Sequence, residues 1–343
     1  MKSESLGPTG LESYWFPLAW SGELGRRPLG VSLLGRRLVL FRGREGRVGV
    51  LEDFCPHRGV SLSLGSVRDG TLACAYHGWR FAADGACVHV PSATASTPPA
   101  RCSVPSFAAV EQEGAVWVRL SPEGEAAPPH WPGWGERGYA FTQWVTEVEC
   151  PLPWVVQNFV DCAHTGILHR GLFRGAPARD IEADVEQRPD GVHVENHGEA
   201  DTESLLARLL SRGSGALRHT DTYRAPHTVE VNYWWGEQHL VTNSVCTPLT
   251  ERRTRIYTRL GVRFGLLNRV ILAAMRPLTT RILEQDVRIL EDQARQLERY
   301  PDRQLASTPA DLPCLWVHDV HRQITGARES PPVERRRRVA YRL

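Results

Sequence analysis

Short apolar runs, interrupted by glycine and arginine, make up the first third of the chain. They lie at residues 31–34, 37–41, 48–51 and 114–120. Runs of this length between turn residues are typical of a small all-β unit. The pattern therefore predicts an all-β domain over residues 14–120. Residues 121–135 are rich in proline and glycine, and this composition predicts a linker.

The second half of the chain mixes two periodicities. Apolar and polar positions alternate over residues 254–264, and residues 228–235 and 239–246 also read as strands. Residues 184–196 predict a hairpin, because Pro-Asp-Gly stands at the centre. Residues 154–169 have helical character, and residues 278–300 predict a long helix that ends before Pro301. Strands followed by a long helix predict an α+β domain with an antiparallel sheet over residues 136–325.

The remaining residues, 326–343, form a basic tail in this interpretation. Four consecutive arginines occupy positions 335–338. Such a run can be a binding patch, but we expect a solvated terminus.

Composition excludes several classes of protein. The 343 residues include 41 basic and 39 acidic side chains, so bulk charge predicts neither nucleic-acid binding nor attraction to an anionic membrane. The longest apolar run, residues 262–275, contains charged residues and is too short to span a bilayer. The first ten residues lack the apolar stretch of a signal peptide. We therefore expect a cytoplasmic protein whose eight cysteines are metal ligands or free thiols.

Two mixed pairs of metal-binding residues stand out in the first half. Cys55 and His57 are two positions apart, and Cys74 and His77 are three apart. In a Rieske [2Fe–2S] centre, two cysteines hold one iron and two histidines hold the other. A structural zinc site is the alternative, but zinc-finger spacing groups cysteine with cysteine and histidine with histidine.

The residues around these pairs carry a family resemblance. The segments Asp-Phe-Cys-Pro-His-Arg-Gly at 53–59 and Cys-Ala-Tyr-His-Gly-Trp-Arg-Phe at 74–81 resemble the Rieske domain of aromatic-ring-hydroxylating and demethylating oxygenases. Respiratory Rieske proteins carry an additional cysteine in each loop and a serine beside the cluster. This chain has neither cysteine and has Trp79 in place of the serine, which favours the oxygenase type.

A second constellation lies in the second half, where His164 and His169 are five residues apart. Two histidines and a carboxylate on one face of a metal are typical of non-haem Fe(II) oxygenases. In an ideal helix, five residues turn by about 500°, which leaves the two side chains about 140° apart. The spacing therefore requires a break or a π-type bulge, which we expect near Thr165 and Gly166.

The segment from Asn158 to His169 is similar to the iron-ligand segment of Rieske oxygenases. The resemblance implies that His164 and His169 bind iron, that Asp161 links the two metal centres electronically, and that Asn158 lies near the metal. The third ligand must come from elsewhere. Asp286 lies at the edge of an apolar helical stripe, where a carboxylate is costly unless it is paired or bound to metal. Its segment also resembles the late ligand helix of the family, although pairing with a buried arginine is an alternative.

The overall order resembles the terminal oxygenase (alpha) subunits of the vanillate-demethylase type, with a helix-grip-like catalytic domain. This resemblance implies a mononuclear Fe(II), O2 as co-substrate, and electrons from NAD(P)H through a separate reductase and possibly a ferredoxin. It also implies a head-to-tail homotrimer, in which electrons cross between subunits, and a small aromatic or polycyclic organic substrate. A Rieske electron-transfer protein with a non-catalytic second domain is the alternative function.

Inward positions of the second-half strands are candidates for the substrate pocket. The candidates are Asn232, Trp234, His239 and Asn243. Each of them is a structural residue in the simpler interpretation.

Overall fold

The computed structural model of the 343-residue chain describes residues 10–93, 100–170, 172, 180–198, 217–327 and 333–342. The expectation about a signal peptide concerns residues that are almost all outside this part. The chain divides into two compact units. One comprises Gly10–His130 and Leu249–Glu251, and the other comprises Trp131–Pro248 and Arg252–Leu343.

The first unit is all-β apart from short 3-10 turns in its described residues, as predicted. Its strands are β1 (Phe16–Trp20), β2 (Leu29–Leu33), β3 (Arg36–Arg42), β4 (Val48–Glu52), β5 (Ser66–Arg68), β6 (Thr71–Ala73), β7 (Arg80–Phe81), β8 (Cys87–His89), β9 (Ala108–Gln112) and β10 (Ala115–Arg119). They form three sheets with the orders β1-β10-β9, β2-β3-β4 and β5-β6-β7-β8. The two cysteines of the predicted cluster, Cys55 and Cys74, belong to a buried core that also contains Phe41, Leu72 and Phe81.

The second unit is built on an eight-stranded antiparallel sheet, which confirms the α+β prediction. Its strands are β11 (Ala140–Val148), β12 (Asp180–Arg188), β13 (Gly191–His197), β14 (Leu217–Arg224), β15 (Thr228–Trp235), β16 (Gln238–Thr250), β17 (Arg253–Arg263) and β18 (Arg335–Arg342). Their order is β11-β17-β16-β15-β14-β13-β12-β18. The described helices are α1 (Leu152–Val160), α2 (Thr165–Leu168), α3 (Asn268–Arg299) and α4 (Leu312–Ile324).

The long helix α3 begins ten residues before its predicted start. Pro277 lies inside it, although proline lacks the N–H that an interior position needs. The first turns are held by tertiary packing, because Ile271 and Met275 are buried against Tyr233 and Leu260 of the sheet. The helix propensities of the residues do not predict such packing. No helix in the described ranges is long and apolar enough to cross a membrane.

The arginine run was expected to be a solvated terminus, and this prediction is wrong for the backbone. Residues 335–342 form the edge strand β18, which pairs with β12 in antiparallel register. The arginine side chains are exposed, but Arg338 donates to the Asp184 carboxylate at 2.9 Å, and Val339 is buried. Acidic residues on β12 pair with Arg336 and Arg338, and Asp319 on α4 pairs with Arg335. Residues 328–332 and 343 of the predicted tail lie outside the described residues.

Candidate metal centres and the cavity beside them

Two matching turns hold the first set of metal-binding side chains. The Gly59 N–H donates to the Cys55 carbonyl at 2.8 Å, and the Gly78 N–H donates to the Cys74 carbonyl at 3.1 Å. Both glycines have positive φ angles, +72° and +70°, which other residues rarely adopt. Each turn therefore begins at its cysteine, closes at its glycine and carries its histidine between them.

The four donors of these turns converge. Cys55 and Cys74 are buried and form no disulfide, and the rings of His57 and His77 are 4.5 Å apart. The His57 ring stacks on Trp79 with centroids 4.7 Å apart. Its Nδ1 atom is buried and has no hydrogen-bond partner. A buried polar atom without a partner is costly, and a metal ion at this point would remove the cost. The residues present therefore fit a Rieske cluster.

The second set lies next to a break between α1 and α2, with His164 and His169 at the two ends of α2. The break spans residues 161–164, whereas residues 165–168 between the two histidines are helical, so the break expected near Thr165 and Gly166 does not separate His164 from His169. The Asp161 carboxylate accepts the Ala163 N–H at 3.1 Å, and the Thr165 hydroxyl donates to the Cys162 carbonyl at 2.8 Å. Side chains that bond to nearby backbone compete with the helix, and they redirect the chain here.

Three potential ligand atoms form a triangle at this break. His164 Nε2 and His169 Nε2 are 3.2 Å apart, and the Asp286 Oδ1 atom lies 3.4 Å from the first and 3.2 Å from the second. Ligands about 2.1 Å from one ion, at right angles to each other, are separated by about 3 Å. The triangle therefore has the dimensions of a two-histidine, one-carboxylate metal site.

The hydrogen bond on the far side of His169 sets its tautomer. His169 Nδ1 lies 2.9 Å from Gln285 Oε1, which only accepts. His169 therefore donates from Nδ1, and the lone pair of Nε2 is directed at the triangle. Gln285 was not among the predicted residues, although it immediately precedes Asp286 in α3.

The charges at the triangle reinforce one another. Burial lowers the pKa of His164, but hydrogen bonds and charges from Asp161 and Asp286 outweigh burial and raise that pKa to about 9. Burial raises the pKa of Asp286, but His164 and His169 outweigh it and lower that pKa below its ordinary value. His164 therefore carries a proton at neutral pH without metal, and a metal ion must displace this proton in order to bind.

The structure also brings Asn158 and Asp161 to this place. Asn158 Nδ2 lies 3.5 Å from Asp286 Oδ1, and Asp161 Oδ2 lies 3.6 Å from His164 Nδ1. The Asp161 side chain is 33% exposed, in contrast to 10% for Asp286. Asp161 thus contacts the triangle from its solvent side.

A cavity of about 130 Å³ opens beside the triangle. Its apolar wall includes Phe159, Val231, Tyr233, Leu240, Leu260, Met275, Ile282 and Leu283. The candidate pocket residues Asn232, Trp234, His239 and Asn243 do not line it, which agrees with the structural role preferred for them. Side chains alternate between the two faces of a strand, and the neighbouring residues Val231 and Tyr233 face the cavity instead. The sequence pattern located the strands, and the four candidates lie on the face of these strands that does not line the cavity.

Three of the other polar residues that line the cavity lie close to one another. They are Cys162, His219 and Asp221. His219 and Asp221 were missed because a histidine and an aspartate two apart in a strand carry no metal motif. The available signal was their spacing on β14, because residues two apart in a strand lie on the same face of the sheet.

Comparison with known proteins assigns both units. A family model described as Rieske [2Fe-2S] domain matches residues 14–108. A second, described as Vanillate O-demethylase oxygenase C-terminal domain, matches residues 148–335, which is more than half of the chain. The chain belongs to the Rieske oxygenases. This Rieske oxygenase is therefore an oxidoreductase that joins a [2Fe–2S] domain to a non-haem iron oxygenase domain.

Individual relatives agree with the assignment over most of the chain. The vanillate O-demethylase oxygenase subunit of Pseudomonas sp. (strain HR199 / DSM 7063) is 28% identical over 87% of this chain and 90% of its own length. The oxygenase component of dicamba O-demethylase from Stenotrophomonas maltophilia is 34% identical over 60% of this chain and 61% of its own length. The crystal structure of dicamba monooxygenase bound to dicamba has the same fold, with a TM-score of 0.81, 23% identity, and coverage of 93% of this chain and 98% of the other.

Proposed function

We propose that this Rieske oxygenase oxidises a small aromatic substrate, by hydroxylation or by removal of a methyl group, in the cavity beside His164, His169 and Asp286. The observation that carries the proposal is the triangle of ligand atoms 3.2–3.4 Å apart at the wall of an apolar cavity. A two-histidine, one-carboxylate set leaves coordination positions open, and the cavity supplies a place for substrate next to them. The demethylases among the relatives support the second reaction.

His164, His169 and Asp286 hold the mononuclear Fe(II) in this proposal. When bound, the iron supplies the activation of O2. Gln285 fixes the ring of His169, and Asn158 donates a hydrogen bond to Asp286, so that both ligands keep their orientation. The apolar residues of the cavity wall limit the contact of water with the site from that side.

Cys55, His57, Cys74 and His77 hold the [2Fe–2S] cluster. A separate NAD(P)H-dependent reductase, directly or through a ferredoxin, supplies the electrons. The His77 side chain is exposed, whereas both cysteines are buried. An exposed ligand gives a donor or acceptor protein short access to the cluster.

Electrons pass from His77 of one subunit to Asp161 of the next in a head-to-tail homotrimer. The partial exposure of Asp161, in contact with His164, supports this route. Head-to-tail contacts that close into a ring generate such a trimer. Mixed trimers test the route. Co-expression of a Cys74→Ser chain, which lacks the cluster, with a His164→Ala chain, which lacks the iron, should restore turnover although each variant alone is inactive. Inactivity of the mixture, with both variants folded and assembled, would exclude transfer between subunits.

Iron counting separates the oxygenase from the alternative electron carrier. The oxygenase binds three irons per chain, and a carrier with a non-catalytic second domain binds two. Anaerobic reconstitution of the wild type and of a His164→Ala, His169→Ala double variant should give three and two irons per chain. Asn232→Ala, outside the cavity wall, is the control and should keep three. Two irons in the wild type, or no substrate-dependent O2 uptake with a reductase and a panel of methoxylated aromatic compounds, would refute the proposed function.

A further inference from the structure

A buried polar network lies at the cavity wall and takes no part in the ligand triangle. His219 Nε2 and Asp221 Oδ1 are 3.0 Å apart, and Asn196 Nδ2 lies 3.0 Å from Asp221 Oδ2 and 3.2 Å from His219 Nδ1. The Tyr341 hydroxyl donates to Asn196 Oδ1 at 2.7 Å. Three strands, β13, β14 and β18, therefore contribute to one network.

The network has one consistent arrangement of protons. Because Asn196 Oδ1 accepts from Tyr341, the Asn196 amide nitrogen is the donor to Asp221 and to His219 Nδ1. His219 then carries its proton on Nε2 and donates it to Asp221. The His219 ring also stacks on Tyr233, with centroids 4.2 Å apart. The Asp221 carboxylate is thus held in place by two donors.

Asp221 is a buried acceptor at the wall of the cavity. Its side chain is 3% exposed, and that of His219 is 2% exposed. A carboxylate only accepts hydrogen bonds and has about four acceptor positions, of which the described donors use two. Burying a charged acceptor is costly unless its remaining positions are satisfied. A donor on the substrate would satisfy them.

The part of the cavity wall that the structure describes has no lysine or arginine to pair with an anionic substrate. Its carboxylates other than Asp221 are Asp161, which contacts His164, and Asp286, which lies in the ligand triangle. An aromatic carboxylate or sulfonate whose anionic group is directed at Asp221, away from the metal site, would face a like charge, and like charges in a desolvated site repel strongly.

We propose that Asp221, held by His219 and Asn196, selects substrates that present a hydrogen-bond donor, and disfavours aromatic acids. The ligand class is an aromatic amine or amide, cationic or neutral, with its N–H directed at Asp221. This inference rests on the proposed function, because it assumes that the substrate occupies the cavity beside the iron.

Three probes of one size and one ring test the inference. They are 4-methoxybenzylamine (a cation), 4-methoxybenzamide (a neutral donor) and 4-methoxybenzoate (an anion). Calorimetric titration of the anaerobic metal-loaded enzyme should show the amine or the amide binding at least about 10-fold more tightly than the benzoate, as expected for a hydrogen bond to a charged group. In Asp221→Asn this preference should fall to about twofold or less. Asp190→Asn, the same change at an exposed turn of the same unit, should keep it.

The outcomes are separable. Equal or tighter binding of the benzoate by the wild type, binding of none of the three probes, or an unchanged preference in a folded Asp221→Asn variant would each overturn the inference. If Asp221→Asn does not fold, the wild-type ratio alone decides. Formaldehyde release from the bound probe is measured separately with a reductase. Selective binding without any turnover would count against the oxygenase function and would leave the role of Asp221 standing.

Discussion

Gln285 tests whether the hydrogen bond behind His169 prepares the iron site. Gln285 Oε1 accepts from His169 Nδ1 at 2.9 Å, and the His169 side chain is 3% exposed. Substitution of Gln285 by Leu keeps a similar volume but removes the acceptor. The Nδ1–H then remains buried without a partner, at a cost of about 1–3 kcal/mol. The ring can also rotate or adopt the other tautomer, which turns a proton toward the metal.

The expected result is a loss of roughly 10- to 100-fold in Fe(II) affinity, since this is the usual effect of losing such an orienting partner. Anaerobic titration of Fe(II) into the protein, with the [2Fe–2S] absorption measured in parallel, gives the affinity and shows that the cluster is intact. Gln285→Glu should restore affinity, because a carboxylate accepts the same proton. Glu284→Leu, on the exposed face of the same helix, is the matched control. If Gln285→Leu binds Fe(II) within twofold of the wild type, the orienting role is wrong.

Two further predictions concern carboxylates outside the ligand triangle. Asp161→Asn should keep both metals, measured as iron per chain, but reduce substrate-dependent O2 uptake below about 1% of wild type; near-normal uptake would contradict the bridging role. On β12, hydrogen bonds from Arg338 hold the pKa of Asp184 well below its ordinary value, so the stability that this carboxylate gives to β18 is present at neutral pH and is lost as the pH falls through the lowered pKa. Asp184→Asn should therefore speed amide exchange of residues 335–342 about threefold at pH 6 and much less at pH 2. Exchange at the wild-type rate at both pH values would contradict the reasoning.

Much of the metal chemistry could be predicted from sequence because its signals are local. The pairs at Cys55 and Cys74 lie within turns of five residues, and glycine at the required positive φ marks each turn. The spacing of His164 and His169 argued against a long regular helix through both, and the structure places them at the two ends of the short helix α2. The sequence did not locate the break correctly, because Asp161 and Thr165 make it through side-chain bonds and not through Gly166.

Other features depend on which strands become neighbours. The face of β15 that lines the cavity is set by the packing of α3 against the sheet, and alternation alone is compatible with either face. The arginines of β18 predicted a free tail, because the sequence does not show that β12 places Asp184 opposite them in the strand pair.

The sequence by itself determined the two donor sets and the order of the two units, because ligand spacing and turn residues act over a few positions. Only the tertiary structure decided that Asp286 lies with the two histidines and not with a buried arginine, that Gln285 accepts from His169, and that Asp221 lines the cavity. These contacts join residues that are between 25 and more than 100 positions apart in the chain, such as Asn196 with Asp221 and His169 with Gln285. Their distances are set by sheet register and helix packing, which no local pattern encodes.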